Sequence, residues 1–225
     1  MLSREGRERP FTQRRSMPAS VRKLQPAPSA LAILDESAEL EQLVRGLQAE
    51  KAWAQRALLE DHGSYVERVL TRSLGRHSEL EDLVQEVFIR ALCRVDQIEE
   101  PSGLRSWLAA FAVFVAREAL RKQRRRRWLS SSAPGELPEP AAPTASPELM
   151  NAYHAFYAVL GKLDVDLRIA FALRWVEGME LTEVAALTDV SLATAKRRLK
   201  SARERFEALA AKNPFLQDWL GEREP

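Results

Sequence analysis

Residues 78–95 read SELEDLVQEVFIRALCRV, and Leu80, Leu83, Val84, Val87, Phe88, Ala91, Leu92 and Val95 recur in it at steps of three and four. That period is the mark of a helix with one buried stripe. Ser78, with Glu81 three residues on, has the spacing of a capping box, which predicts a helix start at Ser78. Away from the stripe stand Asp82, Gln85, Glu86, Ile89 and Arg90, a face combining carboxylates, an amide and a branched apolar side chain. Periodicity alone leaves it open whether this face is merely solvated or receives a partner.

Working outward, Leu40, Leu43, Val44 and Leu47 share one helical face, and Trp53, Ala57 and Leu58 continue it past Gly46. Two helices or one bent helix satisfy that pattern. Tyr65, Val66, Val69, Leu70 and Leu74 form a further segment that stops at Gly75, a C-terminal signal. Connections this short make the helices antiparallel neighbours on one core. Downstream, Pro101, Ser102 and Gly103 break the chain, and Ser102 is available to cap the next helix.

That next predicted helix runs from Gly103 to about Trp128. Trp107, Leu108, Phe111, Ala112, Val115, Ala119 and Leu120 make its core stripe, while Arg117, Arg121, Lys122 and Arg124 to Arg127 crowd its C-terminal half. Cations at a helix C-terminus gain about 0.3–1 kcal/mol each from its dipole, which does not require four consecutive arginines. Such a run repels itself unless an anion is near, and phosphate fits. Val113 and Phe114 lie off the stripe, so Leu108–Ala116 is apolar nearly all round. Either it is buried on two sides or Phe114 is presented to a partner, such as an unpaired base.

Residues 130–146, SSSAPGELPEPAAPTAS, read as an extended Pro/Ser/Ala-rich linker on which the flanking domains can move. Beyond it Tyr153, Phe156, Tyr157, Leu160 and Leu163 give one helical face. Leu167, Ala170, Phe171, Arg174 and Trp175 give a second, ending at Gly178. Leu181–Leu187, a turn at Thr188–Val190, Ser191 as N-cap and a helix carrying Leu192, Ala195, Leu199, Ala202 and Phe206 complete a helix-turn-helix pattern. Asp189 stands where such turns often carry glycine, and aspartate tolerates the left-handed conformation. Opposite the stripe lie Thr194, Lys196, Arg197, Lys200 and Arg203, a row able to bond base edges and phosphates.

Length and composition bound the rest. At 225 residues and 45% hydrophobic content the chain can build two small domains, and its net charge of +2 conceals strongly clustered cations. Residues 1 to about 30 mix arginines and prolines without an apolar period, and read as a disordered basic tail in which Met17 is an alternative start. The single cysteine, Cys93, near the buried stripe, cannot form an internal disulfide and suits a reducing cytoplasm. His62, His77, His154 and Cys93 lack ligand spacing, so no metal and no cofactor is expected. With no Ser/His/Asp set and no Gly-rich phosphate loop, no catalytic residue is assigned. Leu108–Ala116 is far short of a membrane span and the N-terminus lacks a signal-peptide core, so a soluble intracellular protein without membrane insertion is expected.

Three stretches together carry a resemblance: HGSYVERVLTRSLGRHSELEDLVQEVFIRAL (62–92), SWLAAFAVFVAREALRKQRRRR (106–127) and LRWVEGMELTEVAALTDVSLATAKRRLKSARERF (173–206). The chain resembles the bacterial extracytoplasmic-function (ECF) sigma factors over roughly residues 43–128 and 150–210. The resemblance implies an all-α protein with a basic tail (1–34), a region 2 domain (35–129), a linker (130–147), a region 4 helix-turn-helix domain (148–212) and a C-terminal tail (213–225). It implies a cytoplasmic, non-enzymatic factor that binds core RNA polymerase, recognises minus-ten and minus-thirty-five promoter DNA and helps melt the first. Asp82, Gln85, Glu86 and Ile89 then match the polymerase-docking face, and residues 96–103 the loop that captures a flipped minus-ten base. Trp107, Phe114, Arg117, Arg121, Lys122, Arg124 and Arg125 match the element lining the melted strand. Lys196, Arg197 and Lys200 match the minus-thirty-five readers, with Thr194, Arg198 and Arg203 beside them on phosphate, and Ser191 belongs to the same DNA-binding set. An anti-sigma factor is the further partner the family implies, the chain being a monomer when free or a heterodimer with it.

The sequence departs from the family pattern at Val113 and Phe114, where an Arg-x-Asn-like stretch is usual, and around Asp164–Asp166, where a proline is usual. Phe215, Trp219 and Leu220, beyond the resemblance, either pack back on the last domain or meet a regulator. Two other classes fit parts of the pattern. A stand-alone helix-turn-helix regulator would bind duplex DNA without polymerase and ordinarily dimerise. A helical interaction module would explain Val113 and Phe114 but leave the 194–203 row unused.

Overall fold

A glycine and a left-handed turn set the first two helices. The computed structural model describes residues 30–129 and 146–221, without the side chains of 30–36, 127–129 and 218–221. Helix α1 (Ala30–Gln48) begins within the stretch read as tail and ends where Glu50 takes a φ of 53° and the Lys51 N–H donates to the Gly46 carbonyl at 2.9 Å. A Cβ on Gly46 would lie 2.6 Å from the Trp53 ring, so its absence lets the next helix cross closely. That helix, α2 (Ala52–Leu74), is continuous and carries both the Trp53 and the Tyr65 stripes. It stops as expected at Gly75, whose φ of 69° is costly for residues with a Cβ.

Helix α3 (Leu80–Leu92) starts one residue later than the capping-box spacing predicts, with Glu79 rather than Ser78 at its N-cap. The reason is local. His77 holds the turn, its Nδ1 accepting the Glu79 N–H at 3.2 Å and its carbonyl the Leu80 N–H at 3.2 Å, which puts Ser78 outside the helical frame. Glu81 and Asp82 in the first turn still oppose the dipole favourably. Cys93 is a second correction: it is exposed at the C-cap rather than aligned with the stripe.

Two 3-10 turns, Val95–Gln97 and Pro101–Gly103, lead into α4 (Leu104–Leu129), with Pro101 rather than a Ser102 cap opening the second. Leu108, Ala112, Val113, Val115 and Ala116 are all buried, so this helix is covered on two sides, and Phe114 alone of the apolar run's large residues turns outward.

After the linker, which lies outside the described residues except for Ser146, the Ser146 hydroxyl accepts the Leu149 N–H and Pro147 occupies the first turn of α5 (Pro147–Leu160). Helix α6 (Val165–Phe171) runs into a π-turn at Ala172–Val176. The pair α7 (Leu181–Leu187) and α8 (Leu192–Ala210) forms the helix-turn-helix, with Asp189 at φ 53° in its turn and the Ser191 hydroxyl accepting the Thr194 N–H at 3.2 Å. Helix α9 (Pro214–Gly221) returns to α5 and α8. Leu216 is its buried anchor while Phe215 is exposed; the side chains of Trp219 and Leu220 lie outside the described residues.

Among the described residues every regular element is helical. The linker composition predicts two helical groups that move independently, yet the groups share apolar packing: Ile169, Ala170, Leu173, Met179, Val184 and Leu199 belong to the same core as Val66, Leu70, Leu108 and Val113. A second core gathers Ala155, Val159, Leu160, Phe171, Ala202, Phe206 and Leu216, with the Phe171 and Phe206 rings stacked at 4.5 Å. Polar contacts close the seam between the groups. The buried Arg168 donates from Nε to the Ser73 carbonyl at 3.0 Å and from Nη2 to the Leu74 carbonyl at 2.6 Å. Glu177 accepts from Arg68 at 3.2 Å and from Arg72 at 2.5 Å.

Candidate nucleic-acid interface

The outer face of α3 follows from its period. Burying Val87, Phe88 and Ala91 turns Asp82, Gln85 and Ile89 to solvent, and Ile89 is 57% exposed. Glu86 is partly exposed, its Oε1 2.5 Å from Arg90 Nε. Arg90 Nη1 also reaches Glu118 at 2.7 Å, and its guanidinium lies 5.0 Å from the Phe114 ring centre. The α3 face is thereby tied to α4.

On α4 the expected strand-lining residues divide. Trp107 is half-buried, edge-on to Phe111 at 4.9 Å, whereas Phe114 is 47% exposed. Arg121, Lys122, Arg124 and Arg125 are exposed. Lys122 and Arg126 each lie 3.5 Å from Glu79, and chiefly the Lys122 charge holds the Glu79 carboxyl below its ordinary range. Arg117 is mostly covered. It donates from Nη2 to the Thr188 carbonyl at 3.4 Å, and its Nε lies 3.2 Å from Asp166 without making a hydrogen bond.

On α8 the N-cap geometry aims the first turns outward, and Ser191, Lys196, Arg197 and Lys200 are exposed, with Lys200 3.9 Å from Glu204. Thr194 is partly exposed, its hydroxyl accepting from Ser191 at 3.0 Å. Arg198 and Arg203 are half-buried and engaged, Arg198 3.9 Å from Asp166 and Arg203 2.9 Å from Glu207. The cation row is thus narrower than the sequence pattern.

Sequence reasoning missed the two carboxylates that join these surfaces. Asp164 lies 2.9 Å from both Arg124 of α4 and Arg205 of α8. Asp166 lies between Arg117 of α4 and Arg198 of α8. Arg124 and Arg205, with Arg124 the larger effect, hold the Asp164 carboxyl below its ordinary range against partial desolvation. The signal available was the acidic DVD at 164–166 in the place of the usual proline. Among the described residues no group of three His, Cys, Asp or Glu could hold a metal, and no helix is long and apolar enough to cross a membrane.

Residues 58–126 match the family described as Sigma-70 region 2, and residues 153–206 that described as Sigma-70, region 4. Over 136 residues the chain is 32% identical to the ECF RNA polymerase sigma factor EcfG of Rhodopseudomonas palustris (strain TIE-1), covering 60% of this chain and 73% of that protein. The chain belongs to the ECF RNA polymerase sigma factors. This sigma factor is also 30% identical over 141 residues to the ECF RNA polymerase sigma-E factor of Escherichia coli (strain K12), covering 57% of this chain and 72% of that one. Its fold is similar to that of CnrH, solved in complex with the cytosolic domain of CnrY, with a TM-score of 0.54 at 23% identity over 76% of this chain and 96% of that one. It is likewise similar to the sigma factor RpoE of Bartonella quintana, solved with the anti-sigma factor NepR, with a TM-score of 0.51 at 23% identity over 80% and 98%. The two family matches take in α2 from Leu58, α3, α4 to Arg126, α5 from Tyr153, α6, α7 and α8 to Phe206; α1 and α9 lie outside those two ranges. A sigma factor acts in transcription initiation, with RNA polymerase at promoter DNA.

Proposed function

We propose that this sigma factor docks on core RNA polymerase through Asp82, Gln85, Glu86 and Ile89 and places α4 along the melted minus-ten strand. There Arg121, Lys122, Arg124 and Arg125 meet phosphates, Arg117 joins them once Asp166 releases it, and Trp107 and Phe114 meet bases. On duplex DNA Lys196, Arg197 and Lys200 read the minus-thirty-five element, with Ser191, Thr194, Arg198 and Arg203 on its backbone. The observation that carries this reading is the exposed Lys196, Arg197, Lys200 row on the second helix of a helix-turn-helix, in one chain with the basic end of α4. Such a helix enters a major groove, and such a basic helix follows a phosphate backbone.

In this reading residues 35–129 are the region 2 unit and 148–212 the region 4 unit, with 1–34, 130–147 and 213–225 as tail, linker and closing segment. The protein works in the cytoplasm, catalyses no reaction itself, and is held by an anti-sigma factor when not on polymerase. The anti-sigma complex of the Bartonella quintana relative supports that last assignment.

The test mixes the purified chain with sigma-free core polymerase, separates the mixture by size-exclusion chromatography, and sequences run-off transcripts from genomic DNA of the source organism. Co-elution together with new transcript starts sharing two spaced elements is expected. Duplex binding without polymerase binding would overturn the reading in favour of a stand-alone regulator.

A further inference from the structure

Asp164 and Asp166 alternate on the short segment that opens α6, and each is held by one arginine from α4 and one from α8. Asp164 Oδ1 lies 2.9 Å from Arg124 Nη1, and its Oδ2 lies 2.9 Å from Arg205 Nη1. Asp166 Oδ1 lies 3.2 Å from Arg117 Nε, and its Oδ2 lies 3.9 Å from Arg198 Nη2. Two carboxylates on one segment thus occupy four guanidinium groups on two helices. Under the proposed function, three of those groups, Arg117, Arg124 and Arg198, serve nucleic acid.

The fit is serviceable but incomplete. Arg117 Nε is buried and makes no hydrogen bond, although a carboxylate oxygen lies 3.2 Å away. With its other oxygen turned toward Arg198, the Asp166 carboxylate does not bring that oxygen into line. A backbone phosphodiester likewise presents two charged oxygens, so it can take the place of either carboxylate between the same pair of arginines. The surroundings suit exchange: Arg121 and Arg125 line the same open cleft as Arg124, Asp164 and Asp166, adding cations that neither carboxylate engages in a salt bridge. Asp164, Arg124 and Arg205 are each more than half exposed, and exposed ion pairs are weak and screened by salt, so a polyanion can displace them.

We propose that Asp164 and Asp166 are cis competitors for nucleic acid, occupying phosphate sites shared between α4 and α8 until a DNA backbone replaces them. The inference rests on the reading of α4 and α8 as DNA-binding surfaces. It assigns to this chain an acidic latch, and adds Arg205 to the phosphate-binding set. DNA engages these sites as Asp164 and Asp166 leave them.

The test compares the full-length chain with D164N/D166N for binding to a fluorescein-labelled mixed-sequence DNA of about 30 nucleotides, single-stranded and duplex, across a salt series. E60Q/D61N, which makes the same change in net charge at exposed α2 positions outside both clusters, is the control. The expected result is at least about fivefold tighter binding by D164N/D166N at low salt, the lower end of ordinary coupling between sites. Its plot of log affinity against log salt steepens by about 1–2, since each phosphate newly engaged adds about 0.7–0.9. Equal affinity for the variant and the parent, or an equal gain in the control, would overturn the latch. Transcription by the reconstituted holoenzyme separates the two claims. Promoter-specific initiation without a latch effect sinks the latch alone, whereas no initiation by the parent sinks the underlying reading.

Discussion

Replacing Arg168 with methionine keeps an unbranched, somewhat shorter stem in its buried slot and removes every side-chain donor. Arg168 is 6% exposed, and its Nε and Nη2 serve the carbonyls of Ser73 and Leu74 in the last turn of α2. A helix end leaves such carbonyls without intrahelical partners, so the loss is not made good within α2. Hydrogen bonds involving a charged donor contribute about 1.5–3 kcal/mol each, which puts the two between about 3 and 6 kcal/mol. The closed arrangement sets a ceiling, because the helical groups can part and let water reach both carbonyls, so a loss near about 3 kcal/mol is expected. With an m-value of about 2 kcal/mol/M, the urea midpoint falls by about 1.5 M, as read by circular dichroism and tryptophan fluorescence. R168K, whose ammonium lacks the planar fork, recovers about half. A midpoint for R168M within about 0.3 M of the parent, at unchanged slope, would refute the assignment of Arg168 as the main polar tie across the seam.

Q85K/E86K is expected to abolish co-elution with core polymerase while leaving the far-ultraviolet spectrum unchanged, because among the described residues the tie it removes is the partly exposed Glu86–Arg90 pair, worth at most about 1 kcal/mol; retained binding would reject the α3 docking face. R197A is expected to cost about 1–3 kcal/mol at one promoter base pair in competition assays, and an equal loss on every sequence would reassign Arg197 to phosphate. Tyr157 carries a pH dependence. Burial, the largest effect, pushes its phenol up to about 12 from 10.0, so the folded chain holds that proton where the unfolded chain releases it. The associated stability is complete below pH 10.0 and is lost as pH rises through about 12; Y157F should flatten the stability profile across that window in alkaline denaturation, and an unchanged profile would exclude Tyr157 as its source.

Apolar period makes the helices legible, and turn chemistry places several of their ends. Gly75 ends α2 as its C-terminal signal predicts, Asp189 takes the positive φ that its turn asks for, and Ser191 caps α8. The start of α3 is not legible in the same way, because His77, a residue without a strong turn signature, accepts the Glu79 and Leu80 N–H groups and the N-cap falls on Glu79. Nor does a stripe name what covers it. Leu70 and Ile169 each announce burial, yet nothing local says that they belong to one core. The ties that join them, from Arg168 to Ser73 and Leu74, span 95 and 94 residues. At the candidate site the exposure of Lys196, Arg197 and Lys200 is legible from the helical period. The engagement of Arg198 with Asp166 is not, because it depends on how α6 is set against α8.

A core built from both ends of the chain is completed late during synthesis. The roughly 80 residues between Arg126 and Phe206 take about 4–16 s to translate at about 5–20 residues per second. Over the first half of that interval, before Asp164, Asp166, Ile169 and Leu173 have been made, the patch that Ile169 and Leu173 will cover is bare on the nascent chain, and no aspartate lies against Arg117 or Arg124. Each new molecule therefore leaves the ribosome with that apolar patch and the cationic end of α4 both uncovered, and its earliest encounters, with chaperone, polymerase or nucleic acid, are made in a shape that the finished protein keeps folded away.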